Sequence, residues 1–128
     1  MKQSTASKQR IKLFLLAGLI IILLSSCGSQ SDNTETTVSF SSDVAPILNQ
    51  RCIGCHGNGQ PSAGLDLSTY EGVMAGAKGR EVVVPGNPSK SLLVTNVKSG
   101  KMPRNGAKLT AEQITILNDW VSEGAPDN

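Results

Sequence analysis

The sequence predicts a small all-α domain of about four to five short helices. Apolar residues recur at helical spacing in several short stretches, and capping side chains precede these stretches. Gly and Pro residues separate the stretches, and the sequence shows no internal repeat. The 128 residues provide for one packed domain, which excludes a large multidomain enzyme and a multi-pass membrane protein.

The composition provides little material for a hydrophobic core. Hydrophobic residues make up 38% of the chain and aromatic residues only 3%. The formal charge of +2 comes with no basic cluster interleaved with aromatic residues, so we expect no nucleic-acid partner. Three cysteines and one histidine exclude a zinc site made of four cysteines, or of two cysteines and two histidines.

Residues 1–26 have the pattern of an export signal. Basic residues precede an apolar run at 13–24, which is shorter than the about 20 apolar residues that a membrane-spanning helix needs. The sequence Leu-Ser-Ser-Cys at 24–27 resembles the lipobox of bacterial lipoproteins, in which the signal is cleaved before a cysteine that becomes lipidated. We therefore expect Cys27 to carry the lipid, with an ordinary secretory signal as the alternative.

Residues 27–39 are expected to form the lipidated N-terminus and a disordered tether, because 28–39 is polar and lacks apolar periodicity. Removal of residues 1–26 takes four of the 12 basic residues and none of the 10 acidic ones, so the formal charge changes from +2 to −2. The sequence thus predicts a domain over 40–126 that a lipid anchor holds at a membrane outside the cytoplasm, in the periplasm or on the outer surface.

Two helices are expected in the first half of the domain. Capping side chains at 41–43 precede apolar residues that share one face of a helix, and this helix ends near Arg51. The sequence Ser-Thr-Tyr-Glu at 68–71 has the pattern of a capping box and predicts a short helix that ends near Ala75. The loop at 56–67 would connect the two helices.

Two further helices are expected in the second half. Residues 81–86 look extended, and Asn87 followed by a proline predicts the start of a helix. A capping box at 110–113 predicts the last helix, which Gly124 ends. Loops of about a dozen residues, such as 56–67 and 98–109, are uncommon unless they are functional. Together with the shortage of aromatic residues, they indicate a bulky apolar cofactor in the core.

Residues 52–56 read Cys-Ile-Gly-Cys-His, which is a C-x-x-C-H motif. In an exported protein this motif is typical of covalent haem attachment. Two thiols three positions apart can each form a thioether with one vinyl group of the same porphyrin, and the next residue places an imidazole over the iron. The motif predicts one haem c on Cys52 and Cys55, with His56, the sole histidine of the chain, as an axial ligand of the iron.

Three other interpretations of the motif are weaker. A structural zinc site needs four protein ligands, and the domain offers only Cys52, Cys55 and His56. A redox-active C-x-x-C of the thioredoxin type follows a strand, whereas a helical pattern precedes this one. A disulfide between Cys52 and Cys55 would close a very short loop and would leave His56 without a role.

Met102 is predicted to be the second axial ligand of the iron. Met74 falls within the expected helix at 68–75, where methionine is more often part of a core. Met102 stands in the loop sequence Gly-Lys-Met-Pro at 100–103, where a lone apolar side chain needs a buried destination. If its thioether reached the iron from the face opposite His56, the side chain would be buried there. An exposed Met102 is the alternative.

These residues together resemble a class I-type cytochrome c, and in finer detail the planctomycete-type cytochrome c domain. The resemblance covers about residues 40–126 and rests on the strings at 43–48, 51–57, 64–68, 84–88, 91–93, 101–103 and 120–126. It implies a helical domain wrapped around one covalent haem, with His56 and Met102 as axial ligands. The family usually has a proline after the Met-Pro pair, where this chain has Arg104.

The expected function is that of a monohaem electron carrier, not an enzyme, which exchanges single electrons with redox proteins of the cell envelope. A small peroxidase-like enzyme or sensor with an open sixth site is one alternative, but it needs a distal acid–base group, and the chain has no second histidine. Arg51, Arg80 and Arg104 are more simply surface residues or partners of haem propionates. A docked haem subunit of an envelope dehydrogenase is the other alternative.

The second ring nitrogen of His56 is expected to donate to a backbone carbonyl within 57–61.

Overall fold

The structure is a computed structural model that describes residues 37–57, 59 and 61–128. The predictions of an export signal at 1–26 and of lipidated Cys27 lie outside the described residues, and so does the predicted tether at 27–39 up to residue 36. The last residues of that tether are ordered instead, because the Val38 N–H donates to the carboxylate of Glu123 at 2.7 Å and the Ser39 hydroxyl caps the first helix. Among the residues described, no helix is long and apolar enough to cross a membrane.

Four α-helices carry the fold of the described residues, as expected for an all-α domain. No β-strand occurs in this part of the chain, where an isolated bridge joins Ala77 and Arg80. A π-helical turn and a short 3-10 turn complete the elements. Their bounds are Phe40–Val44 for the π-helical turn, Ala45–Arg51 for α1, Ser62–Gly64 for the 3-10 turn, Tyr70–Ala75 for α2, Leu92–Lys98 for α3 and Ala111–Ser122 for α4.

The helix predicted at 41–51 is confirmed, and it begins with the π-helical turn at Phe40. The capping residue is Ser39, whose hydroxyl accepts a hydrogen bond from the Ser42 N–H at 3.3 Å. Ser41 was expected to help cap the helix, but its hydroxyl donates to the carbonyl oxygen of Asn128 at 2.8 Å instead. The helix still ends at Arg51, directly before the C-x-x-C-H motif.

The capping box predicted at 68–71 is wrong by one residue. The hydroxyl of Thr69 accepts from the Gly72 N–H at 3.1 Å, so α2 begins at Tyr70. Ser68 is unavailable as a cap because its hydroxyl and its N–H both donate to the carboxylate of Asp66, at 2.6 and 2.9 Å. The end of the helix at Ala75 agrees with the prediction.

The helix predicted from Asn87 begins later, at Leu92. Residues 87–90 form a turn in which the Lys90 N–H donates to the carbonyl oxygen of Asn87 at 3.2 Å. The fully buried Ser91 holds this turn, since its hydroxyl accepts from the Val84 N–H at 2.8 Å and donates to the Asn87 carbonyl at 3.0 Å. These bonds keep the backbone extended at Ser91 and delay the helix by about one turn.

The last helix, α4, matches its prediction and organises the core. Thr110 and Gln113 form the capping box, with the Gln113 N–H on the Thr110 hydroxyl at 3.2 Å and the Thr110 N–H on the Gln113 side chain at 3.0 Å. The helix packs against α3 and against the π-helical turn. Its Trp120 is fully buried and lies 5.6 Å from the ring of Phe40, measured between centroids. Tyr70 packs edge-on against Phe40 at 5.2 Å, and we call these three rings the aromatic end of the domain.

Candidate haem-attachment site

The C-x-x-C-H motif forms a single backbone turn that continues α1. The N–H groups of Cys52 and Ile53 both donate to the carbonyl oxygen of Leu48, at 2.8 and 3.1 Å. The N–H groups of Cys55 and His56 then donate to the carbonyl oxygen of Cys52, at 3.1 and 2.9 Å. The two thiols and the imidazole are therefore presented by one compact turn, which we call the haem-attachment turn (52–56).

A hydrogen bond orients the ring of His56. Its Nδ1 lies 3.2 Å from the carbonyl oxygen of Ser62. Because a carbonyl oxygen can only accept, this contact favours the neutral tautomer with the hydrogen on Nδ1, in which Nε2 keeps the lone pair that an iron ligand needs. This second partner is typical of metal-ligating histidines, since it fixes the tautomer and the ring orientation.

The acceptor was expected within 57–61, and this prediction is wrong by one residue. The loop folds back on the motif because the Ser62 N–H donates to the Cys55 carbonyl at 2.8 Å. That contact brings the Ser62 carbonyl, and not an earlier one, beside the imidazole. A second contact, from the Leu67 N–H to the His56 carbonyl at 2.7 Å, holds the far end of the loop. The loop backbone is thus braced on both sides of the histidine.

The two cysteines are free thiols in different surroundings. Cys52 is half-buried and packs against the core, and burial together with the neighbouring Cys55 raises the pKa of the Cys52 thiol to about 11. Redox-active C-x-x-C cysteines have a lowered thiol pKa, so this environment does not favour that chemistry. Within 37–57, 59 and 61–128, no three His, Cys, Asp or Glu side chains are grouped so as to hold a metal ion. The zinc interpretation therefore gains no support from the geometry.

The two candidate methionines both lie at the edge of the core. Met102 follows α3, and its N–H donates to the carbonyl oxygen of Asn96 at 3.1 Å. Its side chain is half-buried against the core, and so is that of Met74 in α2. Met102 is thus partly covered by the core, and its role as an iron ligand stays a prediction.

Arg51 was expected as a surface residue or as a partner of a haem propionate, but the burial of its Nε was not predicted. Its Nε is buried and has no hydrogen-bond partner among the described residues, whereas Arg80 and Arg104 are exposed. A buried charged donor without an acceptor costs more than the about 1–3 kcal/mol of a neutral one. A carboxylate beside the motif, such as a haem propionate, would satisfy it. The sequence offered one signal, the position of Arg51 directly before the first cysteine.

The residues present fit a covalent haem. The turn supplies two thiols for thioether bonds and an imidazole with a free Nε2, and Arg51 supplies a buried donor that has no partner in the described part of the chain. Several apolar or sulfur-containing side chains at the edge of the core are only half-buried. These include Cys52, Leu65, Met74, Met102 and Ile116.

Comparison with protein families agrees with this geometry. Residues 52–106 match the family model described as Planctomycete cytochrome C. The match supports the resemblance of this segment to the planctomycete cytochrome c domain. The family implies a covalently bound haem c, and the matched segment begins at Cys52 and includes Met102. Comparison with curated proteins and with solved structures gave no match.

The family match covers less of the chain than the packed unit does. The cytochrome c segment at 52–106 contains the haem-attachment turn, α2, α3 and the Met102 loop. The helices α1 and α4 lie on either side of it in sequence, and α4 packs against α3. The matched segment is therefore packed against α4, and it is joined to α1 by the hydrogen bonds from Cys52 and Ile53 to Leu48.

Proposed function

We propose that this protein is a membrane-anchored monohaem c-type cytochrome that carries single electrons between redox proteins of the cell envelope. The observation that carries the proposal is the haem-attachment turn, in which Ser62 fixes His56 with Nε2 available. When bound, the haem supplies one reversible step, in which iron(III) takes one electron from a donor and iron(II) returns it to an acceptor. The chain's own residues hold and tune this group.

The turn prepares the chain for attachment at fixed positions. Cys52 and Cys55 lie on one backbone turn that continues α1, so their spacing is set before the haem binds. The Ser62 carbonyl holds the imidazole ring, and the Leu67 N–H holds the His56 backbone. A rigid set of ligands favours electron transfer, because little must rearrange when the charge on the iron changes.

Met102 is proposed as the second axial ligand. A neutral thioether favours the ferrous state and raises the reduction potential. If His56 and Met102 both held the iron, no position on it would be open to an added ligand or substrate. Such a closed site would favour a carrier over a peroxidase-like enzyme or a sensor. The same ligands would also serve in a haem subunit of an envelope dehydrogenase.

A potentiometric titration combined with carbon monoxide tests this function. The full chain is matured in a host with cytochrome c biogenesis, and the visible spectrum is followed while the potential is changed. We expect a single Nernst wave for one electron, and no binding of carbon monoxide to the reduced protein at neutral pH. Rapid carbon monoxide binding would show an open site and would favour the enzyme or sensor. A stable spectrum without a redox wave would end the proposal.

The membrane anchor is a separate part of the proposal and rests on the lipobox-like sequence at 24–27. Two or three acyl chains bind a bilayer far more firmly than one, because each buried methylene contributes about 0.8 kcal/mol. We expect a clickable fatty acid fed to the producing cells to label the wild-type chain. The Cys27→Ser variant should lose the label, and the matched Ser26→Ala variant should keep it. Label that persists in Cys27→Ser would contradict the assignment.

A further inference from the structure

The asparagines of the domain differ in the residue that follows them. Asn87 precedes a proline, which has no N–H. Three others lie inside helices, where the following residue is also helical, and these are Asn49, Asn96 and Asn118. Among the residues that the structure describes, Asn105 is the asparagine that a glycine follows directly. Its backbone surroundings are therefore unlike those of the helical asparagines.

Asn105 and Gly106 lie together in the loop between α3 and α4, and both are exposed. Within the described part of the chain, neither the Asn105 side chain nor the Gly106 N–H has a hydrogen-bond partner. Gly106 has a φ of +84°, and no heavy atom lies within 4 Å of the place that a Cβ would take. No protein atom in this part of the chain thus hinders the approach of the Gly106 nitrogen to the side-chain amide carbon of Asn105.

Two positive side chains flank this pair. Arg104 directly precedes it, and Lys108 follows it and donates from its ammonium to the carbonyl of Pro103. A nearby positive charge favours the deprotonated form of an acidic group. The two cations therefore favour loss of the Gly106 amide proton, and they favour the negative charge that develops when this nitrogen attacks the amide carbon.

We propose that Asn105 deamidates spontaneously and that the isoaspartate formed loosens the loop that holds Met102. The Gly106 nitrogen loses its proton and bonds to the side-chain amide carbon of Asn105, and the amide nitrogen takes up a proton and leaves as ammonia. Water then opens the resulting succinimide ring at either of its two carbonyls. One opening gives aspartate, and the other gives isoaspartate, in which the backbone runs through the side chain. The reaction consumes one water, releases one ammonia and oxidises nothing.

Isoaspartate lengthens the backbone next to the proposed iron ligand, so this part of the proposal rests on the proposed function. The segment is held at both ends, because the Met102 N–H donates to the Asn96 carbonyl at 3.1 Å and the Leu109 side chain is buried. Between these ends, the Lys108 ammonium bridges to the Pro103 carbonyl across Asn105. An added backbone carbon inside this bridge must displace it, and the thioether of Met102 then loses its support on that side.

Peptide mapping of the aged full chain tests the reaction. The haem-loaded chain is incubated in heavy-oxygen water, so that each asparagine that deamidates takes up one heavy oxygen and is distinguished from one that reacts during digestion. Electron-transfer fragmentation separates isoaspartate from aspartate. We expect conversion at Asn105 that becomes faster as the pH rises, because the attack needs the deprotonated nitrogen. An unreacted Asn105, or equal conversion at Asn96 and Asn118, would overturn the proposal.

Asn105→Gln is the matched variant. It keeps an amide but places the amide carbon one methylene farther from the Gly106 nitrogen, so conversion at this position should be lost. The other Asn-Gly pair of the chain, at 58–59, is unchanged in this variant, and Asn58 lies outside the described residues. In the wild type we expect the weak red band from methionine to ferric iron to fall as isoaspartate accumulates, and carbon monoxide binding to appear. Equal loss of the band in aged Asn105→Gln would overturn the role of Asn105.

Asn105→Asp separates the new charge from the longer backbone. It carries the same carboxylate without the added carbon, so the freshly prepared variant should keep the band, and its absence would refute the loosening. Haem content is measured in every sample. A fresh wild type without haem or without the band refutes the proposed function, while peptide mapping still tests the deamidation. A wild type that keeps the band although Asn105 has become isoaspartate refutes the loosening alone.

Discussion

The aromatic end and the haem-attachment turn are stabilised in different ways. At the aromatic end, Trp120 is fully buried, its indole N–H donates to the Pro126 carbonyl at 3.0 Å, and the Tyr70 hydroxyl donates to the Ala125 carbonyl at 2.9 Å. At the haem-attachment turn, Cys55 is exposed, and Arg51 has a buried Nε without a partner among the described residues. The first region satisfies its own polar groups, and the second does not.

The difference shows where the chain relies on a group that it does not encode. Three of its four aromatic residues form the aromatic end, which leaves none of these rings to cover the haem-attachment turn. The few aromatic residues of the sequence are thus concentrated at one end of the fold. We infer that a haem bound at 52–56 does the covering there.

Loss of both cysteines should give the largest effect and should be confined to one region. In the Cys52→Ala/Cys55→Ala double variant, no thioether can form, and we expect no covalent haem. Amide hydrogen exchange at 52–67 should become at least about tenfold faster than in the haem-loaded protein, because local openings are no longer opposed. Exchange in α4 around Trp120 should change less. The Cys27→Ser variant, which keeps both thioether positions, is the control, and an equal change in both regions would contradict the comparison.

Replacement of the proposed methionine ligand should remove one spectroscopic feature completely. Met102→Ala should abolish the weak red absorption band from methionine to ferric iron and lower the reduction potential, because the neutral thioether is lost. Met74→Ala is the matched control, since Met74 is also half-buried against the core. Absorption spectra of the two oxidised variants decide between them. Survival of the band in Met102→Ala, with its loss in Met74→Ala, would reverse the ligand assignment.

Truncation at the aromatic end should act on stability and spare the haem. Trp120→Ala removes a fully buried side chain and should lower the free energy of unfolding by about 3–5 kcal/mol. Trp120→Phe keeps most of the volume and should cost less. Both are measured by urea denaturation of the haem-loaded chain. The spectrum in the absence of urea should match the wild type, and a shifted spectrum would show that the two regions are coupled.

The smallest predicted effect lies in the loop between the two regions. Hydrogen bonds from the Ser68 hydroxyl and then from the Ser68 N–H lower the pKa of the Asp66 carboxyl below 3.8. A carboxyl whose folded pKa is lowered stabilises the fold above its unfolded pKa and loses this contribution as the pH falls through its folded pKa. Asp66→Asn should therefore be less stable than the wild type at pH 7, and the difference in their free energies of unfolding should narrow below about pH 3.8. Urea denaturation across this range measures that difference, and a difference that stays constant would contradict the prediction.

Features set by neighbouring residues could be predicted from the sequence. The C-x-x-C-H spacing indicates its chemistry directly, and the capping box at Thr110 and Gln113 needs only residues of the same turn. The family match at 52–106 bears out the motif-based resemblance over that segment. The ends of α1 and α2 also follow from local signals.

Features set by competing side-chain contacts could not be predicted. The start of α3 depends on Ser91, whose hydroxyl is bound to Val84 seven residues earlier. The start of α2 depends on Asp66, which engages Ser68 and leaves Thr69 to act as the cap. The spacing of apolar residues along a helix does not reveal which side chains compete for the same hydrogen bond. The same limit applies to Ser62, because the loop path that carries its carbonyl to His56 is irregular.

A pyridine haemochrome spectrum and an intact mass of the denatured full chain test the central claim most directly. The chain is produced in a host with cytochrome c maturation, so that attachment at Cys52 and Cys55 can occur. We predict the haemochrome spectrum of a haem with both vinyl groups saturated, and a mass increase of one haem that survives denaturation. A denatured chain without haem mass, or with haem that extracts into acidic acetone, would contradict the account.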